Sequence, residues 1–145
     1  MTELSLADGF AALNRGDLAT AGEACKKALA ANQKHVPAHF LVGLVALEGK
    51  QRQVAHEAFK SVVTLDRDHA AAWAHLAKLN VGEGRIVAAE SALREVRRIQ
   101  PSDPMVIELT GTVLNSLGEY EAAELFFERA RQMVCLLYTS PSPRD

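Results

Sequence analysis

Histidine, cysteine and arginine are the side chains of this sequence best suited to hold a metal, attack a carbonyl or grip an anion. Their spacing decides whether they do. His35 and His39 stand four apart, which sets two imidazoles on one helical face, but Pro37 between them marks a helix start and no third ligand lies nearby in the sequence. His56 and Glu57 begin a two-histidine zinc-protease string, and its second histidine place holds Lys60. Gly43 to Lys50, GLVALEGK, has one residue too many between its glycines for a phosphate-cradling loop and is followed by Gln51 where Ser or Thr is needed. Gly82 to Val87, GEGRIV, lacks the third glycine of a dinucleotide loop and follows a helical pattern. Cys25 sits within a helical pattern and Cys135 far from it, so neither a disulfide framework nor a CxxC pair is formed. Arg94, Arg97 and Arg98 share one side of a helix with Arg85 nearby, and read as a solvated face paired with Glu90 and Glu95. These residues supply no catalytic set, no metal site and no cofactor site, and the stretch reads as non-enzymatic.

The elements that would carry any site are helical. The 145 residues are 48% hydrophobic and 23% charged, rich in Ala, punctuated by Gly and nearly free of β-branched runs, which predicts an all-α chain. A net charge of −2 gives no global field for nucleic acid or an anionic membrane surface. No basic segment leads into a long apolar run, and no stretch approaches about 20 uninterrupted apolar residues. A cytoplasmic protein is the expectation.

The most regular stretch is Ala70 to Asp103. Trp73, Leu76, Ala77 and Asn80 recur at helical spacing, Ala89, Leu93 and Val96 do so again, and Gly82 and Gly84 separate the two halves. The pattern repeats every 34 residues, with starts at Thr2, Val36, Ala70 and Pro104. The eighth position is Gly9, Gly43, Ala77 and Gly111; the twentieth is Ala21, Ala55, Ala89 and Ala123; the twenty-fourth is Cys25, Phe59, Leu93 and Phe127. The fifteenth, at the turn, is Gly16, Lys50, Gly84 and Gly118, the second copy having its glycine one place earlier at Gly49.

This small, small, Gly, apolar code in helix-turn-helix units of 34 residues resembles the tetratricopeptide repeat. The resemblance implies eight helices in four antiparallel pairs, repeats 2–35, 36–69, 70–103 and 104–137, the last cut near 134, arranged as an α-solenoid in a right-handed superhelix. It further implies that the eighth and twentieth positions meet where the two helices of a repeat cross. The usual aromatic of position four is Ser5, His39, Trp73 and Ile107, and the proline of position thirty-two is present as Pro101 alone, so individual positions are degenerate.

The resemblance also implies where a partner binds: on the inner wall made by the first helices. The family's groove positions correspond here to Leu6, Phe10 and Leu13, then Phe40, Leu41, Leu44 and Leu47, then His75, Lys78 and Val81, then Met105, Glu108, Thr112 and Asn115. Such a surface is apolar in its N-terminal half and polar in its C-terminal half, suited to a peptide or protein segment with an apolar anchor. An alternative use of Phe40 and Leu44 is packing between adjacent first helices. The basic clamp with which relatives hold a C-terminal carboxylate is not matched, because its places hold Leu6, Phe10, Leu41, Ala71 and His75. The asparagine ladder of glycosyltransferase-linked repeats is not matched either, its places holding Ala7, Leu41, His75 and Leu109.

The last eleven residues, Cys135 to Asp145, CLLYTSPSPRD, resemble an in-frame translation of a sequencing-library adapter. They are expected to be disordered, and the natural bacterial protein is expected to continue beyond about Val134. Two functions fit: an interaction scaffold binding a protein or peptide, with no nucleic acid or membrane, or the repeat region of a larger enzyme such as a repeat-linked sulfotransferase. The donor-phosphate loop of the latter is absent, Gly111 with Thr112 being no substitute. An uncapped final helix, with Phe126 and Met133 as its apolar patch, predicts self-association.

Overall fold

The computed structural model describes residues 5–138, with side-chain burial through residue 136. The first repeat's start at Thr2 and the tail from residue 139 lie outside the described residues. Among these are eight helices and no strand: α1 (Leu6–Asn14), α2 (Leu18–Ala31), α3 (Val36–Glu48), α4 (Arg52–Leu65), α5 (Ala70–Gly82), α6 (Ile86–Ile99), α7 (Pro104–Ser116) and α8 (Tyr120–Tyr138). The chain divides into two compact units, Met1–Ala72 and Trp73–Asp145. In the first, α1 packs on α2 and α3, α2 on α3, and α3 on α4; in the second, α7 packs on α8.

Helices α1, α2, α3, α5 and α7 begin where a side chain takes an otherwise unpaired amide, whereas α4 and α6 have no side-chain cap. Ser5 and Asp8 form a reciprocal capping box at α1, Ser5 Oγ accepting from Asp8 N at 3.2 Å and Asp8 Oδ2 from Ser5 N at 3.0 Å. Asp17 accepts from Thr20 N at α2, and Asp103 from Met105 N at α7. These hydrogen bonds hold the carboxyls of Asp8 and Asp17 below their ordinary range. At α3 and α5 the cap is a histidine: His35 Nδ1 accepts from Ala38 N, and His69 Nδ1 from Ala72 N, both at 3.2 Å. An accepting Nδ1 must be unprotonated, so these two caps exist only with a neutral imidazole.

The turn inside each repeat is the same in all four. The amide of position sixteen donates to the carbonyl of position eleven, in Asp17 to Ala12, Gln51 to Ala46, Arg85 to Asn80 and Glu119 to Leu114. The amide of position fifteen donates to the carbonyl of position twelve, that of Leu13, Leu47, Val81 and Asn115. This pair of bonds is the Schellman closure, and it demands a left-handed residue at position fifteen. Gly16, Gly84 and Gly118 supply it with φ of +82°, +76° and +83°, and Lys50 with φ of +58°. Gly49, one place earlier, has φ of −81° and is an ordinary helix cap, so the displaced glycine does not take over the turn.

The expected pairing of the eighth and twentieth positions is met at Gly9, where the Ala21 carbonyl lies 3.7 Å from a built Cβ, but bulkier or nearer neighbours take the closest approach. A Cβ built on Gly43 would lie 2.6 Å from the ring of Phe59, and one on Gly111 would lie 2.9 Å from the ring of Phe127. The space over the eighth position is therefore filled by the twenty-fourth, because a phenyl group reaches across the facing backbone where an alanine methyl does not. At Gly9 the obstacles are Ala24 Cβ at 2.6 Å and Leu41 Cδ2 at 2.8 Å, the second coming from α3. Ala21, Ala55, Ala89 and Ala123 are all buried, as small residues inside the layers.

The eighth helix also departs from expectation. It runs through Tyr138 rather than stopping near Val134, so Cys135 and Leu136, read as part of a disordered tail, are helical.

Candidate interaction surfaces

The first helices of the first unit reverse the usual order of burial. On α1 the buried residues are Gly9 and Ala12, while Leu6, Phe10 and Leu13 remain half-buried. On α3 they are Ala38, Leu41, Gly43 and Ala46, while Leu44 and Leu47 remain half-buried. Small residues facing the neighbouring helices are taken up by close packing, while Ala7 and Ala11 are exposed and the larger apolar side chains other than Leu41 stand partly in solvent. Leu41, read from the sequence as part of the binding wall, is wholly buried because its branch fills the space over Gly9. Phe40 is half-buried with its ring edge-on to Phe59 at 5.6 Å and tilted against His69 at 4.8 Å. Its ring supports the fold from inside the unit.

In the second unit the corresponding residues are more polar and more open. His75 and Val81 on α5 are half-buried and Lys78 is exposed; on α7, Met105, Glu108, Thr112 and Asn115 are exposed. The Thr112 hydroxyl donates to the Glu108 carbonyl at 3.1 Å, which leaves it to act toward a partner chiefly as an acceptor.

Other residues with chemical potential are occupied. His35 caps α3, and His39 Nε2 donates to the Gln33 carbonyl at 2.8 Å. The described residues contain no group of three or more His, Cys, Asp or Glu placed to hold a metal ion. Burial pushes the Cys25 thiol up to about 11, so the thiolate needed for nucleophilic attack is suppressed. On α6, Arg98 pairs with Glu95 at 3.0 Å and Arg94 Nη2 donates to Ser91 Oγ at 3.0 Å, while Arg85 reaches Glu83 at 3.5 Å. The basic face is laced to its own helix and turn.

The final helix carries apolar surface, most of it beside the residues singled out in the sequence. Phe126 and Met133 are half-buried, whereas Leu125 and Leu136 are 73% exposed and Met105 at the start of α7 is 78% exposed. Between α7 and α8 lies an open groove of about 400 Å³ walled by Glu108, Phe127, Ala130, Arg131, Val134 and Cys135. Phe127, Ala130 and Val134 recur at i, i+3 and i+7, a stripe at helical spacing in the sequence. On its rim Arg131 bonds both Glu124 and Glu128, which lowers the Glu128 carboxyl below its ordinary range. Among the described residues no helix is long and apolar enough to cross a membrane.

The tetratricopeptide repeat family model matches residues 46–113, which span the end of α3 to the last turn of α7. That stretch carries tetratricopeptide repeats. Their fold recurs in solved structures. One described as the crystal structure of MamA is 20% identical, with 88% of this chain and 75% of that chain covered at a TM-score of 0.67. A second, described as the crystal structure of MamA protein, is 19% identical over 94% of this chain and 75% of that one, with a TM-score of 0.66. A third, a MamA RS-1 double mutant, is 20% identical over 92% and 75%, with a TM-score of 0.67. At these identities the likeness is one of fold. No curated protein matches the sequence.

Proposed function

We propose that this repeat chain is a protein-interaction scaffold that binds a peptide or partner segment on the faces of its first helices. The observation that supports this reading is the reversed burial on α1 and α3. A helix pair needing only to fold would bury its leucines and expose its small residues, yet here Leu6, Phe10, Leu13, Leu44 and Leu47 stay partly in water. Side chains of this size in a half-open setting are the anchors from which peptide recognition draws most of its energy. His75, Lys78, Met105, Glu108, Thr112 and Asn115 offer polar and charged contacts of the kind that fix a segment's register. Phe40 contributes by holding α3 in place.

The test is a selection of displayed peptides against the intact chain, followed by amide-shift mapping of the winners. Shifts should concentrate around Leu6, Phe10, Leu13, Leu44 and Leu47. The Phe10→Ala/Leu44→Ala variant, if its helical circular dichroism is intact, should bind the winners at least tenfold more weakly. Undiminished binding by that folded variant would refute the reading.

A further inference from the structure

Three of the first helices are capped from the same place in the repeat. Position thirty-four is His35 before α3, His69 before α5 and Asp103 before α7. The loops before α3 and α5 are built alike. Asn32 Oδ1 accepts from Lys34 N at 3.0 Å and Asp66 Oδ1 from Asp68 N at 3.1 Å, and the amides of His35 and His69 donate to the carbonyls of Asn32 and Asp66. Each loop thereby turns its imidazole onto the amide three residues ahead, Ala38 or Ala72, at 3.2 Å. The third loop differs: Gln100 is left-handed at φ of +56°, and Asp103 Oδ1 accepts from Met105 N at 2.9 Å. A carboxyl group keeps an accepting oxygen with or without a proton, whereas a protonated imidazole has no lone pair left to accept with.

Both histidines bear on the first turns of α3. His35 caps that helix, and the His69 ring, held in place by its own bond to Ala72, lies 4.8 Å from the ring of Phe40. His39 is different in kind, because its Nε2 donates to the Gln33 carbonyl and a protonated ring donates equally well. The positive end of the helix dipole also disfavours a cation at either cap. Beside His69 the Asp66 carboxylate favours the proton, but burial opposes it more strongly. In the two loops Lys34, Arg67 and Asp68 are exposed. On the helices packed against α3, Asp8 and Asp17 are taken up as caps, Glu23 pairs with Lys26 at 3.7 Å, and Glu57 accepts from Gln53 at 3.3 Å. Lys27, Arg52 and Lys60 are exposed there, and α4 also carries the half-buried His56.

We propose that His35 and His69 form an acid-operated latch on the start of α3. With both rings neutral the first turn is closed. As each ring gains a proton, Ala38 and Ala72 lose their acceptors, and the His69 ring, released from Ala72, withdraws from Phe40. α7, capped by Asp103, has no such response. An imidazole that stays unprotonated when closed and is ordinary when open makes opening about tenfold more frequent at about pH 5.5 than at about pH 7.5.

Amide hydrogen exchange on the full chain, taken relative to an unstructured amide at the same pH, tests this without any partner. Protection at Ala38 and Ala72 should fall about tenfold between about pH 7.5 and about pH 5.5, and at Met105 by less than about twofold. His35→Asn should remove the fall at Ala38 and leave it at Ala72, and His69→Asn should do the reverse. The ring resonances of Phe40 should move over the same pH range in the native chain and stay fixed in His69→Asn. The His39→Gln/His56→Gln variant should keep both falls. Steady protection at Ala38 and Ala72, an equal fall at Met105, or a response that vanishes in His39→Gln/His56→Gln would each overturn the proposal.

Discussion

Among the described residues of the unit Met1–Ala72 the exposed large apolar side chains are Val54 at 44% and Leu65 at 39%. In Trp73–Asp145 they include Val87, Met105, Leu125 and Leu136, each between 73% and 78%. Counting apolar residues along the chain points the other way, because α3 is the most uniformly apolar helix in the sequence. The difference teaches that apolar content and apolar exposure are separate quantities in a repeat chain. α3 meets α1, α2 and α4, so its large apolar side chains are shared among several neighbours and each is at least half-buried. α8 has α7 along one face and an open groove beside it.

The largest expected effect that sharpens this contrast is Phe59→Ala. Phe59 is wholly buried over Gly43, and its loss should cost about 3–5 kcal/mol in urea unfolding, whereas Leu125→Ala should change stability by less than about 0.5 kcal/mol. Next comes Gly43→Ala, whose methyl group would press on the Phe59 ring and should cost about 1–3 kcal/mol. The third repeat pairs Ala77 with Leu93 at the same two positions, so adding Phe59→Leu should make Gly43→Ala much less costly. A double-mutant cycle with no coupling would show that the two positions do not share that space. Ala89→Leu, at a wholly buried site, belongs to the same class and should also cost about 1–3 kcal/mol.

A smaller effect of opposite sign is expected at Lys50. A lysine held at φ of +58° is strained by about 1–2 kcal/mol, part of which glycine returns to the flexible unfolded chain. Lys50→Gly should therefore stabilise the first unit by about 0.5–1 kcal/mol, and Gly84→Lys should destabilise the second. The smallest effect is a pH dependence. Burial lowers the His69 imidazole below its ordinary value, with the Asp66 carboxylate pulling the other way. Below about pH 6.5 the unfolded chain then binds a proton that the folded chain resists, so this contribution to stability is complete above that pH and is lost as pH falls through it. His69→Asn keeps a capping side chain without a titrating one, and should flatten stability against pH between about 5 and 7.

The register was legible because four copies of one pattern fix each other: the helix limits of α2, Leu18–Ala31, follow directly from the position of Ala21 and the turn at Gly16 and Asp17. Depth was not legible. Nothing in the spacing says that the Phe59 ring rather than Ala55 covers Gly43, since both lie on the inner side of α4 and the choice depends on side-chain reach. The left-handed Lys50 was hidden by an adjacent glycine that draws attention to the wrong residue. The histidine caps were hidden because a capping role usually falls to Ser, Thr, Asp or Asn, and two imidazoles four apart suggest a metal first. Of the candidate binding residues, those on the first helices were placed by the register, while the α7–α8 groove depends on a helix whose length exceeds that of its counterparts.

The thiol of Cys25 gives the first unit an internal clock. Buried at 3% exposure and pushed up to about 11, it reacts with a disulfide reagent at neutral pH only when α2 lifts from its neighbours. Cys135, exposed near the other end of the chain, is open to reagent in the native state. Two labelling rates from one sample thus report on the two units separately. The slow one, followed as a ligand is added, reads how far occupation of the α1–α3 face suppresses local opening beneath it.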